Sequence, residues 1–120
     1  MENANFKYFK LDDFKCKCCG ENKIGDKFVS WLDAAREEAG VPFVVLSGYR
    51  CKNHNKSVDG RSDSAHLYGV AADIKANSSH TRYRIVRSLL SVGFQRIGIY
   101  PTFIHVDMDM AKPQKVAWLD

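Results

Sequence analysis

Two histidines and two carboxylates stand where strand periodicity can bring them to one surface. Residues 103–109 alternate cleanly, with Ile104, Val106 and Met108 on one side and His105, Asp107 and Asp109 on the other, because successive side chains of a strand point to opposite faces. Earlier, in Ser64-Ala-His66-Leu-Tyr-Gly69-Val-Ala-Ala-Asp73, a His precedes a second strand pattern at 69–75. There Val70, Ala72 and Ile74 face one way, and Ala71, Asp73 and Lys75 the other. Two imidazoles and a carboxylate on neighbouring strands can converge on one point. Such a set binds Zn²⁺ at about 2.0–2.2 Å, and three protein ligands leave the fourth position open, the arrangement of catalytic zinc. The competing reading of each residue is plainer: a polar strand face is often only solvated, and a strand His is often a surface or hydrogen-bonded group.

The elements that must position these residues read in order. Phe6, Phe9, Leu11 and Phe14 form an irregular apolar lead-in, an extended arm across the domain. From Asp26 the spacing Phe28, Trp31, Leu32, Ala35 fits one helical face and Gly40 its C-terminal cap. Residues 41–47, β-branched and aromatic after Pro42, read as a buried strand, and 48–65 as a long ordered loop walling the site. Ser78 or Ser79 caps a second helix running to about Ser91, with Ile85, Val86, Leu89 and Leu90 as its apolar stripe and Gly93 as its stop. Residues 95–100 and 103–109 make a hairpin about Pro101-Thr102. The expectation is an α+β fold: a small antiparallel sheet with two helices on one face and the metal site on the other.

At 120 residues, with 45% hydrophobic and 27% charged positions, the chain is sized and composed as a single globular domain, 1–120, which excludes disordered and fibrous classes. No apolar run approaches the roughly 20 residues a membrane span needs, and the first ten residues have no apolar stretch of the kind that marks a secretory signal. The net charge of +4 comes from dispersed Lys and Arg, which argues against nucleic acid and suits at most loose attraction to an anionic polymer.

Ser47-Gly48-Tyr49-Arg50, then Ser64-x-His66-x-x-Gly69-x-Ala71-x-Asp73, then His105-Val106-Asp107 together resemble, in order and over most of the chain, the motif set of the zinc D-Ala-D-Ala carboxypeptidase family. That family includes small phage endolysin peptidases and shares its fold with the hedgehog signalling domain. The resemblance implies that His66, Asp73 and His105 bind zinc, and that Arg50 steadies the substrate carbonyl or carboxylate, as a permanently charged planar donor can. Ser47, Tyr49, Arg50 and Ser64 are the expected substrate contacts. The implied activity is hydrolysis of amide bonds in bacterial peptidoglycan peptides, by D,D-carboxypeptidase or endolysin-type endopeptidase action. The expectation is a monomer made in the cytoplasm, since no signal pattern is seen, and, if phage-derived, acting at the bacterial cell wall. A zinc-containing binding module without turnover is the alternative on the same fold.

The general base departs from part of the family. Some members carry a carboxylate three residues before the last His ligand, where this chain has Thr102; others have a His two residues before it, where this chain has Phe103. Asp107 is the nearest carboxylate on the correct face and is expected to be the base. Its alternative is to accept a ring N–H of a ligand His and fix the tautomer. Asp63, Asp109 and His54 follow as further candidates, while His80, beside a helix start, reads as surface. Cys16, Cys18, Cys19 and Cys51 allow a Cys₄ zinc site, two disulfides or free thiols; the spacing is unlike common zinc patterns, and free thiols are the favoured reading.

Overall fold

The computed structural model describes residues 6–120. A 3₁₀ turn, Leu11–Phe14, leads to helix α1, Asp26–Ala39, which closes on Gly40 in the left-handed conformation. Strand β1, Val45–Ser47, is followed by the short helix α2, Lys52–Ser57, a second 3₁₀ turn, Ala65–Tyr68, and strand β2, Ala71–Lys75. Helix α3, Ser79–Val92, is capped by Ser78, whose hydroxyl accepts from Thr81 N, and stops at Gly93. Strands β3, Arg96–Ile99, β4, Phe103–Asp107, and β5, Val116–Leu119, complete the chain.

The five strands lie in the order β1-β2-β4-β3-β5. The first four pair antiparallel, and β5 pairs parallel with β3, so the α+β fold has a mixed sheet. β5, Val-Ala-Trp-Leu, is apolar at every position and so shows no two-residue alternation; it completes the sheet at an edge by pairing with β3. Two further readings change. Residues 41–47 do not form a buried strand: only three of them pair, β1 is an edge strand, and Val44 and Leu46 are half exposed. The 48–65 loop contains α2, which the polar sequence Lys-Asn-His-Asn-Lys-Ser hid because it has no apolar stripe.

One face of the sheet is the core. Ile74, Ile97, Ile104 and Val106 are fully buried there against Phe28, Val29 and Leu32 of α1 and Ile85 and Leu89 of α3. Burying each such side chain contributes roughly 1.5–3 kcal/mol. Because Ile104 and Val106 must face this core, His105 and Asp107 are forced to the opposite face. The register then sets their neighbours: Asp73 opposite His105, Gly98 on the other side of His105, and Arg96 opposite Asp107.

Candidate metal centre and active site

The opposite face of the sheet carries a cavity of about 740 Å³ whose lining includes Arg50, Asp63, Ser64, His66, Asp73, Arg96, Tyr100, Phe103, His105, Asp107 and Trp118. Its floor is a chain of polar contacts built on the β2–β4 register. Asp73 Oδ1 lies 3.0 Å from His105 Nδ1 and 3.3 Å from His66 Nε2. Residues 66, 73 and 105 thus offer one ligand atom each, all within 4.8 Å of one another.

The protons on the two rings are fixed by their other nitrogens. His66 Nδ1 is 2.6 Å from the Gly48 carbonyl, which can only accept, so Nδ1 carries hydrogen and Nε2 presents its lone pair to Asp73. His105 Nε2 is 2.7 Å from Asp107 Oδ2 and donates to it, leaving the Nδ1 lone pair on the Asp73 side. Two lone pairs and a carboxylate oxygen aimed at each other repel unless a cation sits among them. The two separations from Asp73 Oδ1, 3.0 and 3.3 Å, are close to the roughly 3.3 Å expected between ligands of a tetrahedral ion with bonds near 2.0–2.1 Å. The donor set therefore fits a divalent metal with an open position.

Electrostatics follows the same contacts. Burial would raise the pKa of Asp73, but hydrogen bonds with His105 and His66 outweigh it and hold the carboxyl well below the usual carboxylate range. Burial would lower the pKa of His105, yet its contacts with Asp107 and Asp73 raise it. Asp107 is likewise pushed up by burial and pulled down further by His105, the Asp109 N–H and Arg96, so it is ionised.

Asp107 is 1% exposed and both its oxygens are engaged. Oδ2 takes the His105 ring, and Oδ1 accepts from Arg96 Nε at 2.8 Å and from Asp109 N at 3.0 Å. A carboxylate so committed is placed to orient the His105 ring, the alternative to the general-base role expected from sequence. Asp59 and Asp63 are the other cavity-lining carboxylates apart from Asp73, and both are exposed. Asp109 instead bonds Ala111 N and Lys112. His54 does not line the cavity, and His80 is exposed beside Arg84.

Arg50 is tethered three ways: Nε donates to Ser47 Oγ at 3.1 Å, one Nη to Asn55 Oδ1 at 3.1 Å, and the other to Asp73 Oδ2 at 3.2 Å. Three of its five N–H groups are used, and two remain for the cavity it lines. Ser47 and Tyr49, expected at the substrate, do not line the cavity. Ser47 sits behind Arg50 as its tether, and Tyr49 is buried, its backbone N bonded to Phe14 O at 2.8 Å. Ser64 does line it, and its hydroxyl also accepts from His66 N, capping the 3₁₀ turn that presents His66.

Several residues in the cavity wall or behind it escaped the sequence reading: Arg96 and Trp118 line the cavity, and Asn55 and Gly98 support it from outside the lining. Asn55 is 3% exposed, bonding Arg50 through Oδ1 and the Arg61 carbonyl through Nδ2 at 2.8 Å. Arg96 bridges Asp107 and the Pro113 carbonyl and lies 5.1 Å over the Trp118 ring. Trp118 in turn lies 5.7 Å from the His105 ring, reaching across Gly98, where an added Cβ would meet its Nε1 at 2.6 Å. Only the parity of β3 could have flagged Arg96 and Gly98, since 96 and 98 share one face.

A sequence model of the peptidase M15 family matches residues 7–107, most of the chain. No curated protein matches. The chain belongs to the peptidase M15 family, a zinc D-Ala-D-Ala carboxypeptidase-type family whose members are metal-dependent.

Proposed function

We propose that this member of the peptidase M15 family is a zinc-dependent hydrolase of amide bonds in the peptides of bacterial peptidoglycan, acting at the cell wall. The observation that carries the reading is the convergence of His66 Nε2, Asp73 Oδ1 and His105 Nδ1 on one point of the cavity floor, with Arg50 bonded to the second oxygen of the same Asp73. When bound there, zinc supplies Lewis-acid polarisation of a carbonyl and lowers the pKa of water.

The chain's own residues do the rest. Gly48 O and Asp107 fix the two tautomers, so that both imidazoles are neutral donors at the metal side. Arg50, held by Ser47, Asn55 and Asp73, directs its two uncommitted N–H groups at a substrate oxygen, where they stabilise negative charge as it develops. Arg61, Arg96 and Lys112 also line the cavity, each paired with a carboxylate, Asp63, Asp107 and Asp109 respectively. Tyr100 and Phe103, stacked with centroids 4.5 Å apart, and Trp118 supply an apolar wall.

A zinc-containing binding module without turnover is the second reading. It is favoured by the full engagement of Asp107, which among the described residues leaves the exposed Asp59 and Asp63 on the cavity wall to move a proton. Incubating zinc-loaded protein with defined muropeptides and weighing the products by mass spectrometry separates the two. Cleavage products absent from an H105A control support the peptidase. Intact muropeptides with measurable binding support the module.

A further inference from the structure

The second cluster of chemistry-bearing side chains lies outside the cavity. Cys16, Cys18, Cys19 and Cys51 are free thiols, and their four sulfurs lie within 4.8 Å of one another. Cys16 Sγ is 3.6 Å from Cys18 Sγ, and Cys18 Sγ is 3.3 Å from Cys51 Sγ. Four sulfurs around one ion with bonds near 2.3 Å stand about 3.8 Å apart, so the cluster has the dimensions of a tetrahedral thiolate site.

The backbone is arranged to hold it. Cys16 N bonds Glu21 O at 2.7 Å and Gly20 N bonds Cys16 O at 2.9 Å, closing a turn in which Gly20 has φ +78°. That left-handed residue lets the turn curl back, so that the adjacent Cys18 and Cys19 both aim at the same point, which their sequence adjacency alone argued against. Two backbone N–H groups point at sulfur: Cys51 N at Cys16 Sγ and His54 N at Cys51 Sγ, each at 3.4 Å. Such donors favour the thiolate over the thiol.

We propose that Cys16, Cys18, Cys19 and Cys51 form a closed, structural Zn²⁺ site, distinct from the His66, Asp73 and His105 centre. Each thiol binds as thiolate and releases its proton, the metal gains four sulfur ligands, and no sulfur is oxidised. The all-sulfur set selects a soft tetrahedral ion and leaves no position for substrate. Its role follows from Cys51, which directly follows Arg50 and caps α2. The ion would clamp the turn at 16–20 to the segment carrying the Gly48 carbonyl and Arg50, bracing the active-site wall from behind.

The test is metal stoichiometry in full-length protein purified under reductant and loaded with Zn²⁺ alone. Wild type should hold two ions per chain. C18S and C19S, which change exposed residues and leave the core intact, should each hold one firmly, and H105A should also hold one. Co²⁺-loaded H105A should show strong sulfur-to-cobalt charge-transfer absorption that C18S/H105A lacks. This reading does not depend on peptidase activity: a protein with two ions and no turnover keeps the clamp and removes the peptidase. One ion per wild-type chain with four thiols reacting freely with a thiol reagent, or disulfides in the native mass spectrum, would overturn it.

Discussion

Asp107 Oδ2 lies 2.7 Å from His105 Nε2, so the ring whose Nδ1 faces Asp73 is held by its own strand neighbour two residues on. Arg96, opposite Asp107 across the β3–β4 ladder, in turn holds Asp107 through Nε at 2.8 Å. The contacts make a chain of fixed orientation, Arg96 to Asp107 to His105.

The first prediction tests that chain of contacts. D107N should weaken zinc affinity by about 10- to 100-fold, and activity should return on adding excess zinc. If D107N at full zinc occupancy remains 10² to 10⁴ slower, in the range expected for a lost base, Asp107 is the proton acceptor after all.

A pH dependence follows from the same contacts. The pKa of metal-free His105 is raised, so the proton competes for Nδ1 until the pH rises above that value. Zinc affinity should therefore fall as pH drops through it. Removing the Asp107 charge lowers the His105 pKa, so the acid limb for D107N should shift to lower pH even as its limiting affinity falls. Chelator competition across pH measures both, and an acid limb that does not move would refute the coupling.

Arg50→Lys should keep zinc but lose about 10²- to 10³-fold in turnover, because an ammonium cannot keep three tethers and still offer two forked donors. Steady-state kinetics with metal content measured alongside decides it; wild-type turnover in R50K would take Arg50 out of the chemistry.

Gly98→Ala should disturb the aromatic wall. The new Cβ would meet Trp118 Nε1 at 2.6 Å, so the indole must swing off His105, at a cost of about 1–3 kcal/mol as for other overpacked sites. Urea unfolding should show the loss, and indole emission should shift toward that of a solvated ring. An unchanged midpoint and spectrum would mean that the ring has room to yield.

The sequence by itself determined which residues share a face. Alternation through Ile104, His105, Val106 and Asp107, and through Ala72, Asp73 and Ile74, puts His105, Asp107 and Asp73 opposite the core, because a strand has a two-residue period and a hydrophobic face must be buried. The helices Asp26–Ala39 and Ser79–Val92 were equally legible, from a 3.6-residue apolar stripe ended by glycine. What only the tertiary structure decided is how polar groups from distant segments are paired. The role of Asp107 turned on Arg96, 11 residues away, the seat of Arg50 on Asn55 and Asp73, and the approach of Trp118 on a parallel edge strand with no pattern of its own. The thiol cluster likewise needed Cys51 to return to Cys18, 33 residues earlier in the chain. Periodicity reports the burial of a local segment; hydrogen bonds and ligand sets are satisfied across the fold, and their partners carry no local signature.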